Sequence, residues 1–159
     1  MAAAPETHHG TAIAVGGNAA LILGASGAGK SDLALRCVMR APTQLVPEPV
    51  LLVADDRVHI EGHAGRVRVR APGSILGQLE VRGMGIVEVP YVPEADLVLC
   101  VELAAAGTVE RLPDPPPERV VAGVRLPVLR LSPFEAAAPE KLLLALMRAA
   151  QAPGRGTEA

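Results

Sequence analysis

Eight consecutive residues, Gly24-Ala25-Ser26-Gly27-Ala28-Gly29-Lys30-Ser31, have the types and the spacing that hold phosphate. The pattern Gly-x-x-x-x-Gly-Lys-Ser fixes four residue choices, and average usage gives a chance match in a chain of this size with a probability of about 1% or less. Glycines let backbone N–H groups turn inward without Cβ clashes, and those N–H groups together with the positive helix end hold a β-phosphate. Lys30 would reach the β- and γ-phosphates, and Ser31 would offer its hydroxyl to Mg²⁺. A glycine-rich turn that merely closes a strand–helix unit is the bland alternative. The context opposes it, because the stretch follows an apolar run, Ala19 to Leu23, and precedes a helical pattern. The expected ligand is therefore a nucleoside triphosphate with Mg²⁺.

A second apolar run, Val50 to Ala54, ends in Asp55-Asp56. A carboxylate at such a strand end is where phosphate-loop folds commonly hold Mg²⁺. Adjacent residues at a strand end point to opposite sides. One carboxylate can then serve the metal while the other faces an incoming hydroxyl, which needs a proton acceptor within hydrogen-bond reach. An Asp-Asp turn is the competing reading, since Asp is a common turn residue. Beside a phosphate loop, chemistry is favoured.

The elements that must position these groups read as one α/β domain. Ala12–Val15 and Ala19–Leu23 are expected strands around a turn at Gly16-Gly17-Asn18, and Ser31–Arg40 a helix ended by Pro42. Val58–Ile60 and Val67–Val69 read as a hairpin, Gly73–Gln78 as a short helical turn, and Glu80–Gly85 as a loop. Ile86–Val89, Leu97–Glu102 and Val128–Leu131 read as strands, Leu112–Glu118 as a rigid proline-rich loop, and Pro139–Ala150 as a closing helix. The expected domain covers residues 9–150, with residues 1–8 and 151–159 as flexible termini.

Composition removes other classes of function. The 159 residues are half apolar, carry a net charge of −2, and include one Tyr, one Phe and no Trp. Tyr91 and Phe134 offer no aromatic platform for single-stranded nucleic acid, and no basic block suits a phosphate backbone. Arg66, Arg68 and Arg70 alternate and read as a solvated strand face. No apolar run reaches membrane-spanning length. Cys37 and Cys100 lie in apolar stretches and read as reduced, buried thiols, which suits the cytoplasm. His59 and His63 stand four apart, but on a strand and turn rather than the helix that would make them a metal pair.

Together, several segments resemble the HPr kinase/phosphorylase family. They are the phosphate loop followed by Asp32, the stretch Leu52-Val53-Ala54-Asp55-Asp56-Arg57-Val58, and Leu79-Glu80-Val81-Arg82-Gly83-Met84-Gly85-Ile86-Val87, with His9-Gly10 where the family carries a His-Gly. The resemblance runs in order from His9 to Arg111. It implies a P-loop NTPase-like core related to the HPr kinase and PEP carboxykinase fold, a mixed sheet with flanking helices. It also implies ATP-dependent phosphoryl transfer to a serine of an HPr-like phosphocarrier protein of the phosphotransferase system. By this resemblance Asp56 is the base that takes the serine proton, with His9 helping to keep it charged. Ser31, Asp55 and Glu80 hold Mg²⁺. Arg82 organises the site, and Arg111 matches a later catalytic arginine.

The chain also departs from the family pattern. It starts almost at the catalytic core, lacks the basic glycine-containing stretch linked to phosphorylase activity, and has a shortened helical end. The resemblance is thus to a truncated form of the kind seen in some proteobacteria, and it favours kinase chemistry over phosphorolysis. A homo-oligomer is compatible with it. Two other readings stand beside this one: a small-molecule kinase or nucleotide hydrolase on the same core, and a nucleotide-binding sensor without transfer. The acidic pair speaks against the sensor, which has no need of a base.

Overall fold

A computed structural model describes residues 4–152. Its element order is β1 (Glu6–His9), β2 (Thr11–Val15), β3 (Asn18–Leu23), α1 (Lys30–Val38), β4 (Val50–Ala54), β5 (Arg57–His63), β6 (Arg66–Arg70), a 3-10 turn (Gly73–Ile75), β7 (Gln78–Val81), β8 (Gly85–Glu88), β9 (Glu94–Leu103), β10 (Glu118–Val121), β11 (Val124–Leu131) and α2 (Ala138–Gln151). Nine strands form one sheet in the order β1-β5-β6-β9-β3-β2-β4, with β11 joined to β9 and β10 to β11, while β7 and β8 pair separately. The sheet is mixed: β3 and β11 run parallel to β9, and β2 runs antiparallel to both β3 and β4.

The apolar runs of β2 and β3 have no polar face because the sheet is buried on both sides. Ile13, Val15, Ala20 and Ile22 join Leu33, Cys37, Leu142 and Leu146 in one core beneath the two helices. Ala12, Ala14, Ala19 and Leu21 point the other way, into a second core with Val58, Ile60, Val67, Val69, Leu126 and Val128. Among the described residues no α-helix covers that second core. Instead the sheet curls over, and the β10–β11 turn closes onto β5. A Cβ added at Gly62 would lie 2.6 Å from the Ala122 carbonyl oxygen, so only glycine admits this approach.

β9 is shared unequally. Its start pairs with β6 and its end with β11, while β3 lies along the opposite edge. The register against β3 steps from Ala19↔Leu97 to Ala20↔Leu99, leaving Val98 as the extra residue. Such a bulge turns the following side chains to the other face. Leu97 accordingly sits in the second core, whereas Val98 and Leu99 both sit beneath the helices. In α2, Leu142, Leu143, Leu146 and Ala149 are buried at helical spacing, each large side chain contributing about 1.5–3 kcal/mol of transfer free energy. Among the described residues no helix is long and apolar enough to cross a membrane.

Three sequence expectations are corrected. Residues 6–8, read as loose lead-in, belong to β1, which pairs with β5; the pairing of an exposed polar segment leaves no apolar pattern to detect. Glu80–Gly85, read as a loop, is the end of β7 and the turn of a β7–β8 hairpin, Gly83 and Gly85 taking positive φ. The last strand begins at Val124, not Val128, and is preceded by β10. Pro127 hid this, because proline inside a run argues against a strand. It is tolerated here before the stretch that pairs with β9, Val128 to Leu131.

Both thiols are buried, Cys37 in α1 and Cys100 in β9. Burial pushes the Cys37 thiol up to about 12, against the opposing pull of Arg36 and Arg40, and the Cys100 thiol up to about 11. Since the thiolate is the reactive form, the native chain should resist alkylation at pH 8 and the denatured chain should take two equivalents. Rapid modification of the native protein, read by mass spectrometry, would contradict this burial.

Candidate phosphate-transfer site

The parallel strands β3, β4, β9 and β11 share a C-terminal edge, and antiparallel β2 starts there. Ligands of open α/β sheets gather at that edge. The glycine loop leaves β3 and enters α1 at Lys30. Gly27 and Gly29 have φ of 80° and 101°, conformations that side chains rarely adopt. Gly29 caps α1 without any side-chain hydrogen bond, so its first-turn N–H groups have no capping side chain. The Lys30 ammonium is turned inward, 2.8 Å from the Gly24 carbonyl oxygen and 2.9 Å from that of Ala25, and is 8% exposed. It thus sits under the loop, bonded to the backbone that would surround a phosphate.

Asp55 and Asp56 diverge as expected from neighbours at a strand end. Asp55 is buried. Its Oδ1 accepts from the Ser31 hydroxyl at 2.7 Å and from the Thr11 hydroxyl at 2.9 Å, and its Oδ2 accepts the Glu80 backbone N–H at 3.0 Å. A buried carboxylate needs such donors, since desolvation without them is prohibitive. Asp56 faces outward, its side chain 66% exposed, with His9 Nε2 3.0 Å from its Oδ1. Its φ is 69°, a left-handed conformation that Asp tolerates better than most residues. The Gly10 N–H donates to the Asp56 carbonyl at 3.1 Å, tying β1 and β2 to this turn.

The structure therefore brings together the loop, Ser31, Asp55, Asp56 and His9. Glu80 joins through its backbone, while its side chain is exposed at the foot of the β7–β8 hairpin. Arg82 is exposed in that hairpin's turn, and no Glu80–Arg82 ion pair forms among the described residues. Arg111 is not with the acidic pair. The strand order β11-β9-β3-β2-β4 sets Asp55 and Asp56 on one flank of the loop and the segments after β9 and β11 on the other. On that second flank lies a cavity of about 810 Å³, lined by Ala25, Ala28, Leu103, Arg111, Phe134 and Lys141 among others.

Sequence reasoning missed Thr11. Its signal was a hydroxyl opening an otherwise apolar strand directly after His9-Gly10. It also missed the turn after β11, where the Arg36 guanidinium donates to the Pro133 carbonyl while also binding Asp32. Among the described residues no three His, Cys, Asp or Glu side chains converge as a metal cage. The donor set at Asp55 and Ser31 suits a different arrangement. Mg²⁺ prefers oxygen ligands and is commonly bound by one or two carboxylates together with phosphates and water, and a hydroxyl 2.7 Å from a buried carboxylate offers two such oxygens.

The family described as HPr Serine kinase C-terminal domain matches residues 1–147. The HPr kinase/phosphorylase of Clostridium novyi (strain NT) is 44% identical over 88 residues, 55% of this chain and 26% of that protein. The same-named protein of Clostridium beijerinckii is 42% identical over 87 residues, 54% of this chain and 26% of the relative. The matched stretch thus spans about a quarter of the relatives' length. The solved structure of the Hpr(Ser) kinase/phosphatase from Coxiella burnetii superposes with a TM-score of 0.74 at 21% identity, covering 92% of this chain and 96% of that one. At that identity it shows a common fold: a curled mixed sheet with two helices on one face.

Proposed function

The chain belongs to the HPr Serine kinase C-terminal domain family, and from that premise we propose that it transfers the γ-phosphoryl group of ATP to a serine hydroxyl of an HPr-like phosphocarrier protein of the phosphotransferase system. The core is read as a relative of the P-loop NTPases, working in the cytoplasm. One observation carries the proposal: two adjacent carboxylates are divided, Asp55 buried against Ser31 and Asp56 exposed beside His9. A module that only binds nucleotide has no use for the second.

In this reading the loop amides and the α1 N-terminus hold the β-phosphate, and Lys30 exchanges its bonds to Gly24 and Ala25 for phosphate oxygens. Ser31 and Asp55, with Glu80 at the hairpin foot, would hold Mg²⁺, which when bound neutralises charge on the phosphates. Asp56 accepts the proton of the serine hydroxyl as its oxygen forms a bond to the γ-phosphorus and the bond to the ADP oxygen breaks. His9, bonded to Asp56 Oδ1, orients the carboxylate. Arg82, on the hairpin beside this flank, is assigned to the acceptor side.

The test is incubation with ATP, Mg²⁺ and a folded HPr-type protein, reading serine phosphate by mass spectrometry. Phosphoserine on the carrier is the expected result. ATP turnover that ignores the carrier but responds to a metabolite would replace this reading with that of a small-molecule kinase. Nucleotide binding with no transfer to any hydroxyl would leave only a sensor.

A further inference from the structure

We infer that the cavity on the β9–β11 flank of the phosphate loop receives the base and sugar of the nucleotide, with the ring of Phe134 as the stacking face for the base. The inference rests on the phosphate-loop reading above and adds to it which side the donor enters from. The cavity and the loop share Ala25 and Ala28, so a ligand held by the loop reaches the cavity without crossing protein. Its volume of about 810 Å³ lies within the roughly 300–1,000 Å³ of small-ligand sites. Leu103, Ala104, Ala105 and Ala106 contribute apolar residues to its lining.

Phe134 is 72% exposed. Among the described residues the other aromatic, Tyr91, packs against Gly77. An exposed ring at a pocket wall invites a flat apolar partner. The turn that carries it is held in place rather than hanging free. The Arg36 guanidinium binds the Pro133 carbonyl, and a Cβ added at Gly29 would lie 3.1 Å from the Phe134 ring. The residue whose left-handed φ opens α1 is thus also the residue against which the ring rests, so phosphate cradle and stacking face are built on one glycine. The charged groups of the lining balance, Arg111 and Lys141 against Glu110 and Glu135, with Lys141 paired to Glu135, which suits the uncharged base and sugar rather than the phosphates. The topology gives a direction. With the base on the β9–β11 flank, a triphosphate lying along the loop points its γ-phosphate toward Asp55 and Asp56 on the opposite flank.

The experiment compares ATP with tripolyphosphate, both with Mg²⁺, by calorimetric titration of the whole chain. Wild-type protein should bind ATP more tightly than tripolyphosphate. Phe134→Ala should weaken ATP by about 5- to 150-fold, the range of one base–aromatic stack, and leave tripolyphosphate unchanged. Phe134→Tyr should restore ATP binding. Phe134→Leu keeps an apolar contact with Gly29 but removes the ring, and it should behave as the alanine variant does. Equal binding of the two ligands by wild type, or equal loss of both in Phe134→Ala and Phe134→Leu, would overturn the inference while leaving the phosphate loop intact. If neither ligand binds the wild-type chain, the phosphate-loop reading fails and this inference fails with it.

Discussion

Phosphoryl transfer is expected to fall by a factor of about 10²–10⁴ when Asp56 is replaced by asparagine, with Mg²⁺-dependent ATP binding nearly unchanged. The side chain is exposed and its hydrogen-bond partner is His9, not the phosphate loop, so the loop should not sense the change. Asparagine is the better probe than alanine. It keeps the bond to His9 and tolerates the left-handed φ of 69°, yet its amide cannot accept the serine proton. Stability should therefore stay within about 1 kcal/mol of wild type. Single-turnover transfer and equilibrium nucleotide binding, measured on the same preparation, decide it. Transfer within a fewfold of wild type would remove Asp56 from the role of base and return the pair to a turn.

Asp55 should behave in the opposite way, and the contrast separates two neighbours that look alike in sequence. Asp55→Ala leaves the Thr11 hydroxyl, the Ser31 hydroxyl and the Glu80 N–H without their acceptor. Each buried unpaired group costs about 1–3 kcal/mol, so a loss of about 3 kcal/mol or more is expected in denaturant unfolding. Asp55→Asn is a finer instrument. The two hydroxyls can rotate to accept from its amide while its oxygen takes the Glu80 N–H. The fold should then hold to within about 1 kcal/mol of wild type, and the loss should appear in Mg²⁺-dependent ATP affinity, because the charged oxygen ligand is gone. An alanine variant as stable as wild type would contradict the buried hydrogen-bond set. An asparagine variant that still gains affinity from Mg²⁺ as wild type does would take the metal away from Asp55.

These two experiments bear on one feature. In the proposed transfer site one carboxylate is withheld from solvent and the other is not. The end of β4 supplies both by the simple alternation of adjacent side chains. Thr11 from β2 and the Glu80 amide from β7 enclose the first, and His9 from β1 fixes the second.

Much of this was legible in the residues. The spacing Gly24 to Ser31 has the pattern of a phosphate loop, in which glycine, lysine and serine answer local demands of backbone conformation and charge. The apolar runs of β3 and β4 and the periodicity of α1 and α2 are legible for the same reason: each element carries its own burial pattern. The contrary fates of Asp55 and Asp56 followed from strand geometry alone. What tertiary structure decided were matters of adjacency between distant segments. β1 has no apolar pattern of its own and exists because β5 lies beside it. β10 and the early part of β11 were masked by Pro127, whose cost depends on which neighbour needs its missing N–H. Thr11 and Glu80 became parts of the site only when β2 and β7 were set beside β4. Arg111, matched by resemblance to a later catalytic arginine, lies on the flank opposite the acidic pair, because the strand order around β9 is fixed by pairing and not by position in the chain. The types of the reactive residues were set by local chemistry. Their division into two flanks, one lined by Phe134 and one ending in Asp56, was set by long-range sheet pairing, which no single segment encodes.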